Sequence, residues 1–268
     1  FLPKCGGSTL SACKALAETM ERLPDQLPDL TTLQLNLNDL AKSTNDFRLG
    51  FHKIQIGDQG CQYLANSVSR LQRLAALHLQ LGSNGLGEDS CKCLAECIGS
   101  LKQLVDLRLA LRGNRLGERG CTLLTDSLSR LSRLEVVHLW LDGNKLGERG
   151  CKSLAENIGA LEQLVELHLG LGGCTIGDQG CKLLTDGLRS MSRLAVLNLQ
   201  LSSNKLSEHG CKYLATYIGS LELLVDLILI LEGNRVGDHG CKLLAGNLNR
   251  LSRLTALHLS LAGNKLSE

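Results

Sequence analysis

Apolar positions along this chain follow two periods in turn. Leu107, Leu109 and Leu111 alternate strictly with other residues, the two-residue period of a strand that keeps its leucines on one side. Cys91, Leu94, Ala95, Ile98 and Leu101 fall at i, i+3, i+4, i+7 and i+10, one apolar face of a helix. Asn114 and Leu116 close the unit, and Gly117 and Gly120 are placed to let the chain turn back. The pattern then begins again. Cys61, Cys91, Cys121, Cys151, Cys181, Cys211 and Cys241 mark a step of 30 residues, and Asn84, Asn114, Asn144, Asn204, Asn234 and Asn264 keep the same step, with Cys174 replacing the asparagine once. A buried asparagine can bond successive backbone groups in stacked turns, so both columns read as a structural ladder. Glu88 and its counterparts Asp58, Glu118, Glu148, Asp178, Glu208 and Asp238 open each helix, where a carboxylate suits the N-terminal dipole.

The start of the chain is less regular. Residues 8–23 predict an imperfect helix, with Ser8 or Ser11 as cap, Ala12, Leu16, Met20 and Leu23 on one face, and Pro24 as its stop. Leu33, Leu35 and Leu37 then alternate as a strand. Leu37 to Ile56 spans 19 residues where the matching Leu81 to Leu86 spans five, so residues 41–53 predict a bulging loop that carries Phe47 and Phe51, a candidate docking feature. Residues 1–55 thus form an irregular repeat or cap, and residues 56–268 one continuous array.

The architecture expected is an α/β solenoid of about eight helix–strand units with all strands parallel. Strands rest about 4.8 Å apart while helices need roughly 9 Å, so the stack bends by roughly 25° per unit into about half a circle. The sheet then lines the concave side and the helices the convex side.

Lys+Arg 29 against Asp+Glu 27, interleaved, argue against a nucleic-acid or membrane footprint, and 3% aromatic residues argue against base stacking. No apolar run reaches 18 residues, so no membrane span is expected. The first residues lack a signal-peptide pattern, and the sequence stops at Glu268 within a repeat, so a longer parent chain or a large assembly is expected. The seven periodic cysteines occupy a small, apolar helix site and read as buried free thiols rather than disulfides. That choice favours an intracellular, reducing compartment. Cys91, Cys93 and Cys97 are locally dense but have no histidine near them in sequence, and no metal or cofactor is expected.

At LxxLxLxLxxNxL, as in Leu104 to Leu116, and at the following LGExGCxxL, the chain resembles the leucine-rich repeat family, and its helix-length connections resemble the ribonuclease-inhibitor-like subclass. The strand is two residues longer than usual, which looks like the repeats of single-celled eukaryotes. The resemblance implies a horseshoe arc and a protein-binding role.

Units alternate between an SRL type (Ser132, Arg133, Leu134) and a QLV type (Gln103, Leu104, Val105). Arg73, Arg133, Arg193 and Arg253 recur every 60 residues, and Asp106, Glu166 and Asp226 recur at the same interval in the units between. A charge ladder between the two sets is expected.

The concave wall is read from two rows. The first is Gln34, His78, Arg108, His138, His168, Asn198, Ile228, His258, and the second is Asn36, Gln80, Ala110, Trp140, Gly170, Gln200, Ile230, Ser260. His138 and His168 are neighbours in a row expected to be solvated and polar. Trp140, the single tryptophan, and Ile228 and Ile230 put apolar surface on a polar wall, a contact signal. Tyr213 and Tyr217 are expected to share an outer helix face. These features predict a non-enzymatic scaffold or accessory subunit that binds protein partners within a complex through Trp140, Ile228, Ile230, Arg108, His138 and His168. The alternatives are the sensor or inhibitor arc of a regulatory protein, and an activator of the Ran GTPase type.

Overall fold

A computed structural model describes residues 14, 15, 17–19, 21, 22, 29–37 and 56–267. Ser8, Ser11, Ala12, Leu16, Met20, Leu23, Pro24 and the loop 41–53 with Phe47 and Phe51 lie outside the described residues. Residues 14, 15, 17–19 and 21 are helical, and they precede β1 (Thr32–Asn36). The regular units follow as α1 (Gly57–Val68), β2 (Ala76–Gln80), α2 (Glu88–Ser100), β3 (Asp106–Ala110), α3 (Gly117–Asp126), β4 (Val136–Trp140), α4 (Gly147–Gly159), β5 (Glu166–Gly170), α5 (Gly177–Gly187), β6 (Val196–Gln200), α6 (Glu208–Ile218), β7 (Asp226–Ile230), α7 (Gly237–Leu248) and β8 (Ala256–Ser260). Among the described residues, eight strands form one open parallel sheet in sequence order, each paired with its neighbours in the chain. Each strand pairs with the next in the same register, Leu107 with Val137 and Leu109 with Leu139, for example. This is the expected leucine-rich-repeat arc.

The register follows from burial. A slip of one residue would turn every leucine to the open side. Leu107, Leu109 and Leu111 are fully buried, as are Leu167, Leu169 and Leu171 one 60-residue step later, and the helix face Cys91, Leu94 and Ile98 packs onto them. The periodic cysteines from Cys61 to Cys211 are buried, and Cys241 is half-buried. Burial pushes the thiols of Cys91 and Cys151 up to about 12, so they pack as neutral apolar groups. The alternation of unit types shows in the helices: after α3 and α5 the chain tightens into 3-10 turns at Leu128–Arg130 and Leu188–Ser190.

The asparagine ladder is built as expected. Oδ1 of Asn114 accepts from the backbone N–H of Asn84 (3.0 Å) and Leu86 (3.1 Å), while its Nδ2 donates to the carbonyls of Leu81 (3.0 Å) and Leu111 (2.8 Å). One side chain therefore satisfies four buried backbone groups across two units, which no apolar residue could do. At the exception, Cys174 Sγ lies 3.3 Å from the Leu141 carbonyl.

Two expectations need correction and one is extended. Gly117, at φ +65°, makes the turn, but Gly120 does not: it lies inside α3, where a Cβ would come within 3.0 Å of Cys91 Sγ, so its role is close helix packing. The acids stand in the first turns of their own helices, as expected, and the aspartates among them also reach the next unit. Asp58 accepts from the Gly87 N–H (2.9 Å) at the start of α2, and Asp178 accepts from the N–H groups of Ser207 (2.8 Å) and Gly210 (3.0 Å) at the start of α6. Consecutive helices pack side by side, so the carboxylate meets its neighbour's unpaired N–H groups. Tyr217 is 1% exposed, so it shares no outer face with half-buried Tyr213. Four residues on a helix advance the side chain by 40°, enough to turn it in between helices.

Candidate interaction surface

Residues two apart on a strand share a face, so each strand presents three side chains opposite its leucines. On β3 these are Asp106, Arg108 and Ala110; on β4, Val136, His138 and Trp140; on β5, Glu166, His168 and Gly170; on β7, Asp226, Ile228 and Ile230. All six sequence-predicted wall residues lie in these rows. Register places Arg108 beside His138, and His138 beside His168. Ile228 and Ile230 stand apart, because β6 separates β7 from β5 and the step is about 10 Å.

The expected charge ladder does not form. Arg73 pairs with Asp29 at 2.7 Å, Arg133 donates to Gln103, and Arg193 donates to Gln163 at 2.5 Å. The arginines sit in the turns ahead of the strands. The carboxylates face the open side of the sheet, where other cations reach them. Asp106 receives Arg108 Nε at 2.9 Å and His78 Nε2 at 3.1 Å. Burial pushes the Asp106 carboxyl up, but hydrogen bonds from Arg108 and His78 outweigh it and hold the group below the usual carboxylate range.

Sixty residues on, Glu166 holds the same position between two histidines. Glu166 Oε1 lies 2.7 Å from His138 Nε2 and 3.2 Å from His168 Nε2. The two imidazoles stack with centroids 3.8 Å apart and planes within 3°. His138 is only 4% exposed, which corrects the expectation of a solvated row: it is roofed by the neighbouring ring and by Trp140, edge-on at 5.3 Å. Burial lowers the pKa of both rings against the opposing pull of Glu166, and the closeness of the two rings lowers that of His168 further. His168 Nε2 and His138 Nδ1 are buried and lack hydrogen-bond partners. His138 Nε2 is the atom facing the carboxylate, which assigns its proton there.

Trp140 is half-buried rather than projecting freely. Its Cδ1 lies where Gly170 has no side chain; a Cβ there would be 2.9 Å away. Arg112 Cζ stands 5.9 Å from the ring centroid, within cation–π range, and Arg112 Nε is fixed by Asp142 at 2.7 Å. Asp142 in turn accepts from the Gly172 N–H at 3.0 Å. Asp106, Glu166, Arg112 and Asp142 were missed as wall residues by the two-row reading. The signal was present: Asp106 and Glu166 stand two residues before Arg108 and His168, on the same face. Ile228 and Ile230 are half-exposed.

The fold and this wall define an open leucine-rich-repeat-like arc with a polar concave face and a fixed indole at its centre. No protein-family profile matches the chain, and no curated protein matches it. Among solved structures it is similar to leiomodin-1 actin-binding site 2, at 15% identity and a TM-score of 0.44, covering 66% of this chain and 87% of that one. It is similar to the Caenorhabditis elegans tropomodulin C-terminal domain at the same identity and score, covering 65% and 92%. Among the described residues, no helix is long and apolar enough to cross a membrane.

Proposed function

We propose that the chain is a non-enzymatic interaction module, an accessory or structural subunit whose concave face holds a protein partner inside a larger assembly. The observation that carries this reading is the pre-set anchor on that face: Trp140, seated on Gly170 and flanked by Arg112 and His138. A half-exposed indole held in one orientation loses little conformational freedom on binding, and tryptophan and arginine dominate the energetics of protein interfaces. Ile228 and Ile230 give a second apolar contact three strands away from Trp140, on a wall otherwise polar. A partner touching both would span much of the arc.

We assign the repeats to the ribonuclease-inhibitor-like subclass, of the kind found in single-celled eukaryotes, on the 30-residue step and the helix in every connection. Residues 1–55 are taken as an irregular cap and 56–268 as the regular array. The buried thiol column suits a reducing, intracellular compartment.

The test is site-specific photo-crosslinking in the cells that make the chain, with the photoreactive residue at Trp140 in one sample and at exposed Lys152 on α4 in the other. The expected result is a discrete crosslinked polypeptide from position 140 and none from position 152. Crosslinks from position 152 alone, or from neither, overturn the concave-face reading.

A further inference from the structure

We propose that His138, Glu166 and His168 form a site for a divalent transition-metal ion of the zinc type, held by three side chains with its remaining position open to the concave space. One ligand atom from each of the three lies within 4.8 Å of the others. Zinc bonds of about 2.0–2.1 Å to imidazole and 2.0–2.2 Å to carboxylate set tetrahedral donors about 3.3 Å apart. The carboxylate already stands 2.7 Å and 3.2 Å from the two nitrogens, and turning the stacked rings out of parallel would let both in-plane lone pairs converge on one ion beside it. Two imidazoles and a carboxylate are a donor set that zinc takes in open, three-ligand sites.

Comparison within the array gives the independent argument. At Asp106 the same position is neutralised by a permanent cation, Arg108. At Glu166 the arginine is replaced by His168, and that ring's Nε2 is buried, 3.2 Å from the carboxylate, and makes no hydrogen bond. The cluster therefore has a half-buried carboxylate with one partner, His138, and beside it a buried His168 nitrogen with none. A metal cation would take all three groups as ligands. The nearby Arg108 guanidinium is held by both oxygens of Asp106, at 2.9 and 3.2 Å, which offsets its repulsion. On binding, the His138 Nε2 proton gives way to the metal and the neutral ring carries its proton at Nδ1. The ring stays neutral, as a metal ligand must.

The test titrates the purified full chain, stripped with chelator and kept reduced, with Zn2+ and with Co2+. One equivalent should bind, and Co2+ should give the visible absorption of a four-coordinate nitrogen–oxygen site without a thiolate charge-transfer band. His168→Asn copies the residue that Asn198 supplies one unit later, and Glu166→Gln keeps the carboxylate's shape. Each should weaken binding by more than the roughly 10–100-fold lost when a ligand's hydrogen-bond partner is removed, with circular dichroism unchanged. Arg108→His beside His78 and Asp106 should add a second equivalent. The proposal is overturned by the absence of saturable binding at micromolar metal, by binding that survives both ligand substitutions, by a thiolate band, or by a stoichiometry that Arg108→His leaves at one. Loss of the partner crosslink from position 140 bears on the interaction reading alone; these titrations need no partner.

Discussion

The two faces of one sheet obey different rules. On the helix side the units share one solution, broken only where Cys174 replaces the asparagine: apolar residues at alternate positions, a buried asparagine bonded to backbone groups of two units, a small thiol on the helix above. On the open side no two units agree. Asp106 is closed by Arg108 and His78, Glu166 is flanked by His138 and His168, and at the next step Asp226 shares its strand with Ile228 and Ile230. The helix side is constrained by burial, because any unpaired polar group or lost volume there is felt by both neighbouring units. The open side is free of that constraint, so its differences can be used for recognition.

Substitutions should therefore separate into those that damage folding and those that damage contact. The largest effect is expected from Asn204→Ala. Oδ1 of Asn204 accepts from Cys174 and Ile176 N–H, and its Nδ2 donates to Leu171 and Leu201 carbonyls. Stranding these groups at about 1–3 kcal/mol each should cost more than about 4 kcal/mol, read as loss of a cooperative urea transition. Trp140→Ala should instead weaken partner affinity by about 2 kcal/mol, close to thirtyfold, while the urea midpoint moves little. A midpoint shift as large as that of Asn204→Ala would erase the distinction between the faces. Because Trp140 is the single tryptophan, its fluorescence reports contact directly in the parent chain.

Asp106→Asn tests the closed charge cluster. The Asp106 pKa is lower in the folded chain than its ordinary 3.8, so its contribution is fully present above that value and is lost as pH falls through the folded one. The variant should be less stable than the parent by about 1–2 kcal/mol at pH 7, and the gap should narrow in melts below about pH 4. The smallest effect is expected at Cys174→Asn. It restores the ladder's usual residue where a sulfur, a weak acceptor, now stands, and should raise stability by about 1 kcal/mol in the same urea assay.

Most of the fold could be read from residue spacing. The period-two leucines and the period-30 cysteines and asparagines name strand, helix and turn in every unit, because each of those positions is set by its own unit and its immediate neighbours. The wall was legible in part. Alternation placed Trp140, His138, His168, Arg108, Ile228 and Ile230 on one face, but not the partners of the carboxylates. Pairing Glu166 with arginines by their shared 60-residue interval ignored which way a strand side chain points. Spacing also could not show that one helix's first-turn aspartate reaches the next unit, since that depends on how consecutive helices pack. Nor could it show that Tyr217 turns inward while Tyr213 stays near the surface.

That reach from helix to helix has a consequence of its own. Asp58, Asp178 and Asp238 each hold the beginning of the unit that comes after, Asp238 accepting from the Ser267 N–H at 3.0 Å. At these three steps the array therefore has a direction. A unit removed from the front leaves the following helix without its clasp, whereas a unit removed from the back leaves only an idle carboxylate in water. Shortening the solenoid is not symmetrical, and a ribosome that delivers units front to back always presents the clasp before the helix that needs it.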